Sequence, residues 1–377
     1  MSGRSHVSFS AALALVATAF IVGVVASLAI RPAGAPPAGS GESAATAPVG
    51  QALSWRVHSA FNTRLPVLGE GMRYTVDRLR EITGGRMDLE LFEPGELAPA
   101  LAGTESVRSG KVEAAFTWLG YDQGRIPAST LLGAVPFGME PPEYAAWWFF
   151  GGGRELAESL YADHGAMPLL CGLSGPETAG WFREPIETVE DLQGLKIRFS
   201  GLAGKVLQRL GASVTVLPGG EIFQALEKGA IDASEFSLPV IDNMLGFDRV
   251  VKLNYFPGWH QTFSAFHLLV NLELWQTLAP TTQAQLESVC VDSALWSFAN
   301  AEASQGSVLA AFPDKGVEAA TIPTPLLRVL RDTTRQVMDE EAAADEWFAR
   351  VLESQRAFNA TYRLWERKAY VPRDFDD

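Results

Sequence analysis

The stretch from Leu53 to Leu97 changes its hydrophobic period twice, and this limits the possible folds more than any other feature of the chain. LSWRVHSAF (53–61) reads as a β-strand. LGEGMRYTVDRLREITGG (68–85) has helical spacing and stops at Gly84-Gly85, and RMDLELFEPGEL (86–97) alternates as a strand. Strand, helix, strand in that order opens a parallel α/β layer, because a parallel return needs a crossover. VEAAFTWLGY, from Val112, is the next strand and leads into a loop at Trp118 to Tyr121. AMPLLCGLSGP, from Ala166, is another apolar strand. GLKIRF, the helix GLAGKVLQRLG, ASVTVLP and the helix GGEIFQALEKG then repeat the pattern, which predicts a second parallel layer over roughly 173–260. TFSAFHLLVNLELW, from Thr262, reads as one long strand crossing back to the first layer; two such crossings make a hinge. From Pro280 onward the sequence is mostly amphipathic helix, suited to bracing.

A chain of 377 residues, 47% of them hydrophobic, is large enough for two cores. The expected fold is therefore α/β, with two domains, two crossover strands and long C-terminal bracing helices. Domain I takes 53–173 plus about 262–300, and domain II takes 174–261 plus about 301–377. Ahead of both, FSAALALVATAFIVGVVASLAI (Phe9–Ile30) has no charge, so 1–30 reads as a signal peptide or a membrane anchor. Residues 31–52, rich in Pro, Ala, Gly and Ser, read as a disordered linker. The body is thus expected in the periplasm. No Cys follows the apolar run, which argues against a lipoprotein. Cys171 and Cys290 permit at most one bridge, and two buried thiols is the plainer expectation.

Composition and motifs exclude several functions. A net charge of −14 without a Lys/Arg stripe repels phosphate backbones, so no nucleic-acid partner is expected. His6, His58, His164, His260 and His267 have no metal-ligand spacing. G-x-S-x-G is absent; GLSGP at 172–176 lacks the spacing. FFGGGREL (149–156) lacks a Lys-Ser/Thr pair and reads as a close-packed helix entry. Carboxylate pairs carry little weight in so acidic a chain. No catalytic residue is assigned, and no enzyme is expected.

LQGLKIRFSG (192–201) holds Arg198 among Leu195, Ile197 and Phe199. Alternation puts the three apolar residues on one face and Lys196 with Arg198 on the other. Those two either face water, or Arg198 ends its strand at the mouth of a cleft and meets a carboxylate. SGPETAGWF with Glu177, IDASEFSLP with Glu235 and Phe236, and YFPGWHQTF with Trp259 and Gln261 each fall at a strand end or a crossover, where open α/β sheets bind ligands.

AVPFGMEPPEYAAWWFFGGGREL, GPETAGWF, DLQGLKIRFSGLAGKVLQRLGA, LPGGEIFQALEKGAIDASEF and YFPGWHQ together resemble the extracytoplasmic solute-binding receptors of TRAP (tripartite ATP-independent periplasmic) transporters, in the branch that binds 2-oxo acids and other monocarboxylates. The resemblance implies a two-domain, periplasmic-binding-protein-like α/β fold with a cleft between the domains, capture of a small organic acid without an organic cofactor, and delivery to the TRAP permease subunits in the membrane. Arg198 matches the arginine that clamps the ligand carboxylate through a planar fork. In metal-binding members, the positions of Glu177, Glu235, the Phe236 carbonyl and Gln261 hold Na⁺ or Ca²⁺. Glu177 stands where those members usually have Gln, and Phe236 where they commonly have Trp. Trp118, Tyr121, Asn62 and Arg64 match the opposite walls, while Trp259 reads as structural. Two other classes stay open on the residues alone: a membrane-anchored ligand sensor of the same fold, and an exported lyase or hydrolase using Glu177 and Glu235 as acid and base.

Overall fold

A computed structural model describes residues 52–371; the apolar leader and all of the following linker except Ala52 lie outside the described residues. Among the described residues, eleven strands form two sheets. β1 (Leu53–Ser59), β2 (Met87–Phe92), β3 (Ala114–Trp118), β4 (Ala166–Leu173) and β10 (Ala265–Asn271) make the first, ordered β2-β1-β3-β10-β4. β5 (Gly180–Phe182), β6 (Lys196–Arg198), β7 (Ser213–Thr215), β8 (Ala233–Ser234), β9 (Leu253–Phe256) and β11 (Glu318–Thr321) make the second, ordered β11-β9-β5-β8-β6-β7.

The helices sit where the periodicity placed them. α1 (Leu68–Ile82) buries Met72, Thr75, Val76 and Leu79, an i, i+3, i+4, i+7 stripe that packs on β2. α2 (Gly103–Arg108), α3 (Ser129–Gly133), α4 (Pro141–Phe150) and α5 (Gly153–Ala162) flank the first sheet. The Gly-rich stretch is the entry to α5, with Gly152 in the left-handed region at φ 84°. α6 (Gly201–Arg209), α7 (Gly219–Glu227), α8 (Pro239–Leu245) and α9 (Phe247–Val250) accompany the second sheet. α10 (Leu272–Thr277), α11 (Pro280–Ala310), α12 (Thr324–Ala344) and α13 (Glu346–Ala369) complete the chain. Among the described residues, no helix is long and apolar enough to cross a membrane.

Three expectations need correction. Neither layer is purely parallel: β10 runs antiparallel to β3 and β4, and β5 antiparallel to β8 and β9. A chain that leaves one sheet and re-enters it from the far side reverses direction. The long strand after Thr262 ends at Asn271, whose side chain accepts a hydrogen bond from Leu274 N at 3.0 Å and caps α10. The tail is mostly helical, as its periodicity predicts, with one strand added: EAAT pairs as β11 with β9 and brings the chain to the second sheet again. Cys171 and Cys290 are joined in a disulfide, not left as thiols; β4 and α11 pack directly, with the two Cα atoms 4.0 Å apart.

The cores follow the pattern. Val57, Ala114, Phe116 and Val270 are buried in the first sheet, and Ile197, Phe199 and Ala233 in the second. On the order of 1.5–3 kcal/mol per large apolar side chain, these residues dominate the stabilising side of folding. At β6, Lys196 faces water as alternation requires, but Arg198 is only 1% exposed. The solvent-facing alternative therefore fails for Arg198.

Candidate functional site

Arg198 is the last residue of β6, before the turn through Ser200 into α6. Its Nε donates to the Leu217 carbonyl (3.1 Å), and its Nη1 donates to the Glu235 carbonyl (2.7 Å) and to Glu235 Oε2 (2.5 Å). Its guanidinium lies over the Phe236 ring, 5.4 Å from the centroid. β8, beside β6, ends at Ser234 and delivers Glu235 and Phe236 to the same edge. The two passages between the sheets bring Glu177 and Gln261. They approach so closely that a Cβ on Gly258 would sit 2.1 Å from the Glu177 carbonyl oxygen, so only glycine fits there.

The facing wall is aromatic and comes from the first sheet. Trp118 ends β3, and Tyr121 follows it, their rings edge to face at 5.2 Å. Phe61 and Phe266 complete this wall. The Trp118 ring folds over its own loop, where a Cβ at Gly120 would lie 2.1 Å from it. The enclosed space between the walls is about 20 Å³, room for about one water.

Of the residues singled out in the sequence, Trp118, Tyr121, Glu177, Arg198, Glu235, Phe236 and Gln261 line this cavity. Asn62 and Arg64 do not. Phe61 turns inward at the strand end, so Asn62 is left exposed, its Oδ1 accepting from Arg64 N at 2.9 Å. Trp259 packs against Phe137 and Phe199 in the core. Glu177 does not pair with Arg198, which takes Glu235 instead; Glu177 Oε1 accepts from Ser264 Oγ at 2.7 Å.

His260 is the residue that spacing alone could not find. Its Nε2 lies 3.6 Å from Glu235 Oε1 and 3.8 Å from Glu177 Oε2. One ligand atom from each of Glu177, Glu235 and His260 falls within 4.8 Å of the others. The Gln261 amide has one end 2.8 Å from Ser264 Oγ; its other end is 2.9 Å from Glu235 Oε1 and 3.2 Å from Glu177 Oε2. With its nitrogen toward the carboxylates, the amide donates to them. With its oxygen there, it completes a cluster of acceptors that needs a cation to hold it together. The donor set therefore fits a hard cation.

Burial sets the electrostatics. It raises the Glu177 carboxyl above its usual value, against the pull of His260 and Ser264. At Glu235 burial works the same way, but Arg198 and then His260 outweigh it and leave that carboxyl low. Burial would lower His260, yet the two glutamates reverse this and raise it. The Tyr121 hydroxyl is pushed up to about 12 by burial, with Arg198 opposing. Trp118 Nε1, Ser200 Oγ, Ser237 Oγ and His260 Nδ1 are buried without a hydrogen-bond partner. Of these, Ser200 and Ser237 line the cavity, where a polar guest would meet their hydroxyls.

Two α/β layers joined by crossovers, with a charged cavity between them at the strand ends, define a receptor of the periplasmic-binding-protein type. The chain belongs to the DctP family, bacterial extracellular solute-binding protein family 7, whose model it matches over residues 58–345. It is 32% identical over 315 residues to a monocarboxylate 2-oxoacid-binding periplasmic protein of Nostoc sp. PCC 7120, covering 84% of this chain and 86% of that protein. Among solved structures, a TRAP solute-binding protein from Pseudoalteromonas atlantica with bound sodium and pyruvate superimposes with a TM-score of 0.82 at 30% identity, covering 85% of this chain and 97% of that one. Another, from Bordetella bronchiseptica, has copurified calcium and picolinate in one active site; its TM-score is 0.83 at 28% identity, over 85% and 95% of the two chains. The protein is thus a TRAP-type solute-binding protein of an extracytoplasmic family.

Proposed function

We propose that this receptor captures a small 2-oxo monocarboxylate together with a cation, does not transform it, and presents it to a TRAP permease in the membrane. The observation that carries the reading is the buried Arg198, held at a strand end beside two glutamates and an amide, opposite an aromatic wall from the other sheet. Arg198 clamps the solute carboxylate, Trp118, Tyr121 and Phe236 enclose its body, and Glu177, Glu235, Gln261 and the Phe236 carbonyl hold the cation.

Charge explains why a cation belongs there. A third carboxylate brought to about 4 Å from either glutamate is opposed by about 4 kcal/mol at an effective dielectric of 20. A bound cation removes that penalty and offers the solute a second anchor. With His260 neutral, Glu177, Glu235 and one solute carboxylate against Arg198 sum to −2, which a divalent ion balances and Na⁺ does not. Ca²⁺ is therefore the preferred ion.

A cavity of about 20 Å³ cannot admit even pyruvate unless its walls part. The two sheets, with their helices, act as lobes that open about the passages at 174–179 and 257–264, then close on the solute. The leader keeps the protein outside the cytoplasmic membrane, whether cleaved or retained.

The test is isothermal titration with pyruvate, with and without Ca²⁺, on the wild type, Arg198→Lys and Arg198→Ala. Lysine keeps the charge and loses the fork, so binding weakens at least tenfold; alanine abolishes it. Wild-type affinity in Arg198→Lys would remove the clamp from the reading.

A further inference from the structure

We infer that a second cavity, on the far side of the crossover from the solute site, binds an organic monoanion with an apolar body and is coupled to solute binding. The cavity measures about 540 Å³, within the range of small-molecule sites and far larger than the solute cavity. Its floor is built from Tyr144, Phe263, Met338 and Leu352, with the buried Thr334 and Gln355 among them. Its rim is basic: Arg331, Arg335, Arg356 and Arg363.

These arginines are not fully neutralised. Arg331 and Arg335 share the single carboxylate of Asp332 at 3.3 Å each, Arg356 pairs with Asp339 at 2.8 Å, and Arg363 acts on the Glu143 carboxyl. At the α12 end two guanidinium groups share one carboxylate and leave one positive charge, while at the α13 end Arg363 and Glu366 act in opposite senses on Glu143. A largely apolar floor under such a rim suits a carboxylate or sulfonate on an aryl or alkyl body.

The coupling follows from what the walls rest on. α12 lies on α6, the helix after Arg198, and is tied to it by Lys205–Glu341 at 2.6 Å and Arg209–Glu340 at 2.8 Å. α13 lies instead on α3, α4 and α5 beside the first sheet. The loop at the cavity mouth is bonded to the crossover: Phe137 N donates to the Trp259 carbonyl at 2.8 Å, and Thr262 Oγ1 donates to the Met139 carbonyl. Along that crossover Gln261 and Ser264 face the solute cavity while Phe263 faces this one. A guest held between α12 and α13 thus contacts both lobes, and any shift between them changes its site. The coupling, unlike the binding itself, rests on the proposed solute reading.

The experiment uses 4-phenylbutyrate as the probe, titrated calorimetrically into the full chain, Arg331→Gln/Arg335→Gln and Arg198→Ala. Both rim positions are exposed, so the double variant keeps its fold. The wild type binds, the double variant binds at least tenfold more weakly, and Arg198→Ala stays within twofold of the wild type. Butyrate, lacking the ring, binds at least tenfold more weakly than the probe. No heat with the wild type, or equal affinity in the double variant, overturns the site; loss in Arg198→Ala alone would move the probe to the solute cavity. Saturating probe shifts the pyruvate dissociation constant at least threefold, and pyruvate shifts that of the probe by the same factor. An unchanged pyruvate constant, with probe binding intact, overturns the coupling and leaves the site standing.

Discussion

The cavity between the sheets and the cavity between α12 and α13 both present guanidinium groups, but to very different effect. In the first, Arg198 is 1% exposed, its carboxylate partner is equally buried, and about 20 Å³ remains open. In the second, Arg335 is 65% and Arg356 53% exposed over about 540 Å³. Burial turns a charge into a demand for a particular partner, whereas exposure leaves it a general attraction that water and salt can dilute.

The strongest way to break this comparison is Arg198→Ala. Removing one member of a buried pair leaves the Glu235 carboxylate uncompensated, which costs about 3–5 kcal/mol in urea unfolding, along with the loss of pyruvate binding. A cost below 1 kcal/mol would show that Arg198 is no more committed than the rim arginines. Next comes Glu177→Gln, which removes one negative ligand; Ca²⁺ affinity, followed by calorimetry, falls by about tenfold or more while Na⁺ changes less. An equal loss for both ions would take the charge of Glu177 out of cation selection. Smaller still is the effect of salt: from 50 to 500 mM choline chloride, which adds no competing Na⁺, 4-phenylbutyrate binding weakens severalfold, with pyruvate plus Ca²⁺ nearly constant, because the rim is screened and the interior is not. The least expected change is in Arg335→Ala, within about 0.5 kcal/mol of wild-type stability, as for most exposed ion pairs.

Much of the lining of the cavity between the sheets was legible because it lies where regular elements end. Arg198, Glu235 and Trp118 each close a strand or follow one directly, and strand ends are readable from period and turn signals. His260 was not legible: its partners come from β8 and from the opposite passage, and only the tertiary fold joins them. Asn62 was misplaced for the opposite reason, since a one-residue difference in phase at the end of β1 exchanges Phe61 for its polar neighbour. The β11 strand is four residues long and without alternation, so only its pairing with β9 reveals it. The large second cavity has no sequence signature, because α12 and α13 each read as ordinary amphipathic helix and the space exists only between them.

The bond between Cys171 and Cys290 joins positions 119 apart, and β5 to β9, with both passages of the hinge, fall inside the covalent circle it closes. The part of the chain that carries Arg198 and Glu235 is therefore a pendant stapled at its neck. Fraying from either terminus cannot propagate into it as a free end, and two copies of the protein cannot trade that part without first opening the staple.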